Sequence, residues 1–578
     1  MKITLTTLNA KYIHSSLALR YLQTYCKHRN ISVDIAEYTI NNQVADILRD
    51  LYTRGSDVVG IACYIWNIEM VYHLVNMLKQ VSPETVIILG GPEVSYTARE
   101  ILEDHVYIDY IVQGEGEEAL AALLETLATG KSVATIPGVL GRVDNRIAGS
   151  EELVEVADLS SIPFPYESTD FSMLTHKIVY YESSRGCPFQ CQYCLSGNTN
   201  KVRFFDTDRV IKELQQFVNA GVHQVKFVDR TFNCVPQHHH PLLEYMASVE
   251  APVNFHLEIA ADLLREEDLQ ILTTAPKGRI QLEIGIQSTN EDALRAIKRH
   301  NEWPIIENAV HRLQESGRIH LHLDLIIGLP YEDYQSLQRS FHDIYCMRPQ
   351  QFQIGFLKLL KGSGIRNNKN YTYQYDRQGP YEVLGNDWLP YEKIQFLKVL
   401  EDVFERFYNS GKFSRLIEWL VQPFQDNYFL FYEQLTKRWH QVGMDQGGAV
   451  SDQQLIAFLW KYICQQYDPI AQELLKLDIL SFYRFRLKPE MLNWEEPRVF
   501  TDRFWRDEQW VRRYLHDYRF TNWRAIKKEN YVLPIGLKTA QWLFPSVEKT
   551  AEDLYLLGHL EKDEVNWQII ENISEALK

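Results

Sequence analysis

Three of the chain's eight cysteines fall within eight positions, as Cys187, Cys191 and Cys194 in the run S-S-R-G-C-P-F-Q-C-Q-Y-C-L-S-G that ends at Gly197. The spacing is CxxxCxxC. Closely spaced thiolates hold iron–sulfur clusters, and three ligands on a short loop leave one iron of a four-iron cluster open to a non-protein ligand. Two other chemistries compete for the same residues. Buried thiols can pack as small hydrophobes, but Gly186, Pro188 and Gly197 mark a loop rather than a core segment. A structural zinc ion wants four protein ligands, and no second CxxC or HxxxH pair is evident.

Such a loop needs a scaffold, and bulk properties bound it. At 578 residues the chain exceeds one core, so two to four domains are expected. Apolar residues make up 45% and charged residues 24%, an ordinary globular balance. The formal charge of -16 argues against a broad nucleic-acid or anionic-membrane surface. The start of the chain lacks a signal-peptide core, and no run of about 18 apolar residues occurs, so a cytoplasmic protein without membrane segments is expected. Clustered cysteines there favour metal over disulfides.

Residues 1–145 alternate apolar strands (Ile3–Leu8, Val58–Ala62, Val86–Leu89, Tyr110–Val112) with helical patterns such as Ser16–Tyr25. This is the signature of a doubly wound parallel sheet, in which ligands sit at the carboxyl ends of strands. Those ends carry Asn9 to Ser16, Cys63 to Asn67, Gly90-Gly91-Pro92-Glu93 and Gln113-Gly114-Glu115-Gly116-Glu117. No GxGxxG or GxxxxGK[ST] occurs, which speaks against a nucleotide phosphate. Residues 146–175, with Pro163 and Pro165, read as an extended linker. From 176 to 363 βα alternation resumes, with strands expected at 178–181, 224–228, 253–259, 279–286, 320–327 and 353–358, enough for a partial barrel with its site at the strand ends. Residues 364–578 hold ten of the twelve tryptophans and helical spacings such as Ile394, Leu397, Leu400, Val403, Phe404 and Phe407, which read as a mostly helical, aromatic-packed domain. The consecutive His238, His239 and His240 point about 100° apart on a helix and cannot share one ion, so a solvated helix start is expected there.

Arg185 to Cys194, with Tyr193 before the third cysteine, resembles the cluster loop of the radical S-adenosylmethionine (SAM) superfamily. That likeness implies a 4Fe-4S cluster whose open iron chelates SAM, and one-electron cleavage of SAM to a 5'-deoxyadenosyl radical. The N-terminal loops resemble the cobalamin-binding domain found in front of many such enzymes. By that resemblance the corrin lies over Asn9, Lys11, Tyr12, His14, Ser15, Trp66, Gly90, Gly91, Gly114 and Glu115, with Cys63 near the pocket. The DxHxxG motif that supplies histidine to cobalt is missing, so a lower face open or water-bound is expected. The strand ends at H-L-E-I, G-I-Q-S and D-L-I-I-G-L-P resemble the coproporphyrinogen dehydrogenase branch. This implies that Gln287 and Ser288 help hold SAM, that Asp324 faces its ribose, and that Glu258 and Arg299 serve its methionine end.

The expected fold class is therefore α/β: a doubly wound, Rossmann-like cobalamin-binding domain (1–145), a linker (146–175), a partial (β/α)6 TIM-type radical SAM core (176–363) and a mostly helical C-terminal domain (364–578), the last similar to an uncharacterised extension on one group of cobalamin-dependent radical SAM proteins. The expected activity is methyl transfer from methylcobalamin to an unactivated carbon or phosphorus, with no protein catalytic residue singled out. Its cofactors would be the cluster, SAM and cobalamin; its partners, an unknown substrate and a reducing donor such as flavodoxin or ferredoxin, with nucleic acid and membrane disfavoured. The alternatives are rearrangement or tRNA methylthiolation by the same radical chemistry, or a non-catalytic cobalamin-binding regulatory protein.

Overall fold

The structure is a computed structural model that describes all residues except 144–145, 168–169, 172–173, 175–176, 200, 466–467, 493, 495–502, 549–553 and 571–578. It divides into two units, Met1–Gln395 and Phe396–Lys578.

The first unit begins with a seven-stranded sheet made of β1 (Ile3–Asn9), β2 (Asp34–Thr39), β3 (Val58–Ala62), β4 (Val86–Gly90), β5 (Tyr110–Val112), β6 (Val139–Val143) and β7 (Arg146–Gly149), in the order 2-1-3-4-5-6-7. The first five are parallel; β6 and β7 are antiparallel additions. Central β1 and β3 are buried along their whole length, as strands covered on both faces must be. Two apolar clusters, one including Leu8, Ile61 and Val71, the other Leu5, Leu19 and Ile88, fill the space between sheet and helices. Strand order reverses between β1 and β3, the switch point at which doubly wound sheets open a ligand crevice.

The stretch from 146, expected as a linker, starts with a strand. Arg146–Gly149 pairs with β6, and Val154 then bridges to Gly114. Its polar, glycine-ended sequence hides the strand because only one partner is needed at an edge.

A second sheet supplies the barrel. After β8 (Val179–Tyr181) comes a short antiparallel ribbon of β9 (Ser184–Arg185) and β10 (Arg203–Phe204), then β11 (Gln224–Phe227), β12 (Asn254–Ile259), β13 (Ile280–Gln287), β14 (His320–Ile327) and β15 (Gln351–Phe356). Strands 8, 11, 12, 13, 14 and 15 are hydrogen-bonded in that order, all parallel. Their period-2 alternation is clean: Val225, Leu257, Leu282, Ile284, Leu321, Leu323 and Leu325 are buried against the helices, whereas Lys226, His256, Glu258, Glu283, His322 and Asp324 take the other face. The first unit closes with a hairpin, β16 (Tyr373–Tyr375) and β17 (Val383–Asn386).

The second unit is helical, with Ser414–Leu420, Phe429–Gln441, Asp452–Gln465 and Pro469–Phe482 among its helices, but it also contains an antiparallel sheet of β18 (Asn530–Pro534), β19 (Tyr555–Glu561) and β20 (Glu564–Ile570). Its aromatic stripe is core: Trp439 is fully buried between Phe407 and Phe458, with ring centroids 5.7 and 4.9 Å away.

Candidate active site

The cysteine loop leaves the barrel after β8. Asp229, buried at the end of β11, accepts bonds from the Ser183 amide (2.9 Å) and the hydroxyls of Ser183 (2.7 Å) and Ser184 (2.6 Å), which fixes the chain just before the loop. Two glycines then allow backbone contacts that a side chain would forbid. Gly186 has φ +99°, and a Cβ there would lie 2.2 Å from the Lys201 carbonyl; one on Gly197 would lie 2.5 Å from the Cys191 carbonyl. Cys187 and Cys191 are buried and Cys194 is half-buried. Burial pushes the Cys191 thiol up, and the Arg299 guanidinium 3.9 Å away opposes it. Arg299 also donates to the Tyr193 hydroxyl at 3.1 Å. Three sulfurs on one tight loop with a guanidinium beside them suit an anionic metal–sulfide group better than inert core thiols.

Across the barrel the polar face forms one charged network. Glu283 accepts from Lys226 Nζ at 3.0 Å and lies 2.9 Å from His256 Nε2; burial opposes its ionisation, but these partners hold it down at about 2. Its Cα partner on β12, Glu258, is pushed up to about 7 by burial and by the Glu283 charge. Asp324 sits opposite Gly285, 3.1 Å from His322 as an ion pair, and burial raises it. The pair joins Oδ1 to His322 Nε2 off the alignment of a hydrogen bond, and a carboxylate oxygen has a second lone pair that a ribose hydroxyl would satisfy. Gln287 has φ +69° at a bulge where β13 slips register against β14. The bulge folds its amide back over Gly285, where a Cβ would meet Gln287 Nε2 at 2.2 Å. Ser288 points elsewhere: fully buried, it donates to Glu332 and lies 3.3 Å from Ser340 Oγ, so its hydroxyl is committed to the fold.

At the carboxyl ends of β1 and β3, Tyr12, Ile13 and Trp66 are exposed at 77%, 44% and 46%. Exposed aromatic and aliphatic side chains on neighbouring loops suit a large, flat, partly apolar group such as a corrin. Trp66 is held in place, stacked 4.5 Å from Tyr64 and donating to the Leu8 carbonyl at 3.1 Å. Lys11 is exposed. Asn9 donates to Glu37 (2.7 Å) and Ser15 to the Ile178 carbonyl (3.1 Å). His14 Nδ1 lies 2.6 Å from the Tyr180 hydroxyl, and burial lowers its pKa, so it is a neutral, partnered imidazole.

The glycines and glutamates at these strand ends are also tied into the fold. Gly90 offers its carbonyl to the Cys63 amide at 2.7 Å; Gly91 (φ +107°) and Gly114 (φ +82°) make close approaches to the Cys63 and Val154 backbones, where a Cβ would sit 2.6 and 2.3 Å from a carbonyl oxygen. Those glycines serve packing within the fold. Cys63 is fully buried in the apolar core, so it does not line a pocket. Glu93 of G-G-P-E accepts from Tyr381 and pairs with Lys361 at 3.1 Å. Glu115 of G-E-G-E pairs with Arg185 and Arg203. Both contacts were missed by sequence reasoning, because charge pairs between positions tens of residues apart leave no periodic trace. His238 and His239 are also buried rather than solvated, partnered by Ser183 and Asp268 at 3.0 and 3.2 Å, while His240 reaches Asp268 at 3.1 Å. One buried carboxylate satisfies two of the three.

A B12-binding domain model matches residues 3–124 and a radical SAM superfamily model residues 181–344. The chain joins a B12-binding domain to a radical SAM domain. A protein-of-unknown-function model, DUF4080, covers residues 369–554. The chain is 27% identical over 311 residues to the cobalamin-dependent radical SAM methyltransferase TokK of Streptomyces tokunonensis, covering 50% of this chain and 44% of TokK. It is 26% identical over 269 residues to hopanoid C-3 methylase of Methylococcus capsulatus, covering 44% and 50%. The chain thus spans about half the length of these curated relatives. The cobalamin-dependent SAM radical enzyme OxsB, solved with aqua-cobalamin and SAM bound, shares the fold with a TM-score of 0.56 at 12% identity, over 82% of this chain and 78% of OxsB. The two domain types imply a 4Fe-4S cluster, SAM and cobalamin, and the cysteine trio, the half-buried Asp324 carboxylate and the exposed Tyr12–Trp66 surface are consistent with those groups.

Proposed function

We propose that this chain is a cobalamin-dependent radical SAM enzyme that transfers a methyl group to an unactivated carbon or phosphorus of its substrate. The observation that carries this reading is that three cysteine sulfurs on one glycine-tightened loop adjoin a barrel whose polar face carries the half-buried carboxylates Glu258 and Asp324, in the same unit as a B12-type sheet. When bound, the cluster supplies the electron that cleaves SAM, and the corrin supplies the methyl group. The chain's residues bind and orient. Cys187, Cys191 and Cys194 hold the cluster, while Arg299 places positive charge beside it. Glu258 meets the cationic methionine end of SAM, and Gln287 and Asp324 its ribose. Tyr12, Ile13 and Trp66 carry the corrin, with Asn9, Lys11 and Ser15 shaping the loop beneath. The absence of a DxHxxG motif supports a cobalt without a histidine ligand. A small reducing protein, flavodoxin or ferredoxin, is the fitting electron donor in the cytoplasm.

Anaerobic reconstitution followed by iron, sulfide and cobalt assays tests the cofactors, and 5'-deoxyadenosine formation tests the chemistry. The Cys191→Ala chain is expected to lose the cluster and at least about a hundredfold of SAM cleavage. Unchanged cleavage by that variant would sink the assignment, and a cluster-loaded chain that takes up no cobalt would remove methyl transfer.

A further inference from the structure

The segment 186–202, which carries all three cluster cysteines, leaves and re-enters the fold through a narrow neck. β9 and β10 are antiparallel there, with Arg185 directly opposite Arg203. Like charges directly opposite on a ribbon repel, and these guanidinium side chains are only 11% and 8% exposed. One carboxylate answers both. Glu115 Oε1 lies 2.5 Å from Arg203 Nη2, and Oε2 accepts from Arg203 Nη1 at 2.9 Å, Arg185 Nη1 at 3.3 Å and the Val156 amide at 2.7 Å. Arg185 also reaches Glu117 at 2.6 Å and Glu182 at 2.8 Å. The neck itself is closed to backbone contact, since Gly186 lies against Lys201.

We propose that Glu115 is a positioning residue for the cysteine loop: from the B12-binding domain it bridges the two arginines at the loop's neck and thereby fixes where the cluster sits. This rests on the cluster-binding reading of the cysteines. It also replaces the corrin contact expected of Glu115, because both carboxylate oxygens are already engaged by donors from the loop's neck and the linker.

The test uses the full-length chain with Glu115→Gln, which keeps the volume and one acceptor but loses the charge. A second variant, Glu115→Gln/Arg203→Met, also removes Arg203, which loses its carboxylate partner, whereas Arg185 keeps Glu117 and Glu182. In the metal-free chain, hydrogen exchange of peptides from 186–202 should quicken about tenfold in Glu115→Gln while peptides from β3 stay unchanged. After reconstitution, iron loss to a chelator should quicken by a similar factor, and hydroxocobalamin affinity from absorbance titration should stay within about threefold. The double variant should recover thermal stability, since the buried unpaired charge is gone, yet keep the fast exchange at 186–202. Wild-type exchange in that segment in either variant overturns the proposal, as does a loss of cobalamin affinity with the segment unmoved. A wild-type chain that binds no iron sinks the cluster reading instead, and exchange in the metal-free chain still decides the clamp.

Discussion

Glu258 and Glu283 face each other on adjacent strands, yet one ionises near 7 and the other near 2. The difference is local: Glu283 has Lys226 and His256 against it, whereas Glu258 has burial and the charge of Glu283. Because the folded pKa of Glu258 is raised, its carboxylate appears only as pH climbs through about 7. SAM carries a sulfonium, so its affinity is expected to rise roughly tenfold between pH 6 and 8 as the ionised fraction grows, and Glu258→Gln should flatten that dependence in equilibrium dialysis. The sign reverses for stability at Glu283. Its folded pKa is depressed, so its contribution is complete above the ordinary glutamate range and is lost as pH falls towards about 2.

At the level of the element, β13 shows why G-I-Q-S has to read as it does. The bulge turns Gln287 into a left-handed conformation and lays its amide across Gly285, whose carbonyl Arg299 binds. Gly285→Ala should push the amide aside and loosen Arg299, costing about 1–3 kcal/mol in thermal unfolding and weakening SAM binding while the iron content is retained. Gly91→Ala, strained in φ and against the Cys63 backbone, should destabilise the chain by at least a similar amount without touching SAM affinity. The six barrel strands were legible to within two residues because apolar and polar residues alternate along most of them. β2 was not, since only Ala36 of Asp34–Thr39 is buried and an edge strand needs little apolar sequence. The cysteine trio stands out by its spacing alone, and the fold places it on one loop after β8. The pairing of Glu115 with Arg185 and Arg203 was not legible, because those residues lie 70 and 88 positions away and only the fold brings them to it.

For the whole molecule, the two domain types set a stoichiometry: about four irons and one cobalt per chain after reconstitution, measured by metal analysis. The aromatic C-terminal unit answers to different forces. Trp439→Ala should cost about 3–5 kcal/mol in the transition of that unit, followed by near-ultraviolet circular dichroism, with iron content unaltered. The alternation in the barrel strands separates two tasks that most protein cores must combine. Apolar residues on one side carry the packing, while the other side is polar and mostly half-buried. Exchanging an inward residue such as Gln281 or Gln353 therefore leaves every packed contact in place. The lumen can be rewritten one side chain at a time without renegotiating the fold, which makes this barrel a tractable starting scaffold for altering what a radical enzyme accepts.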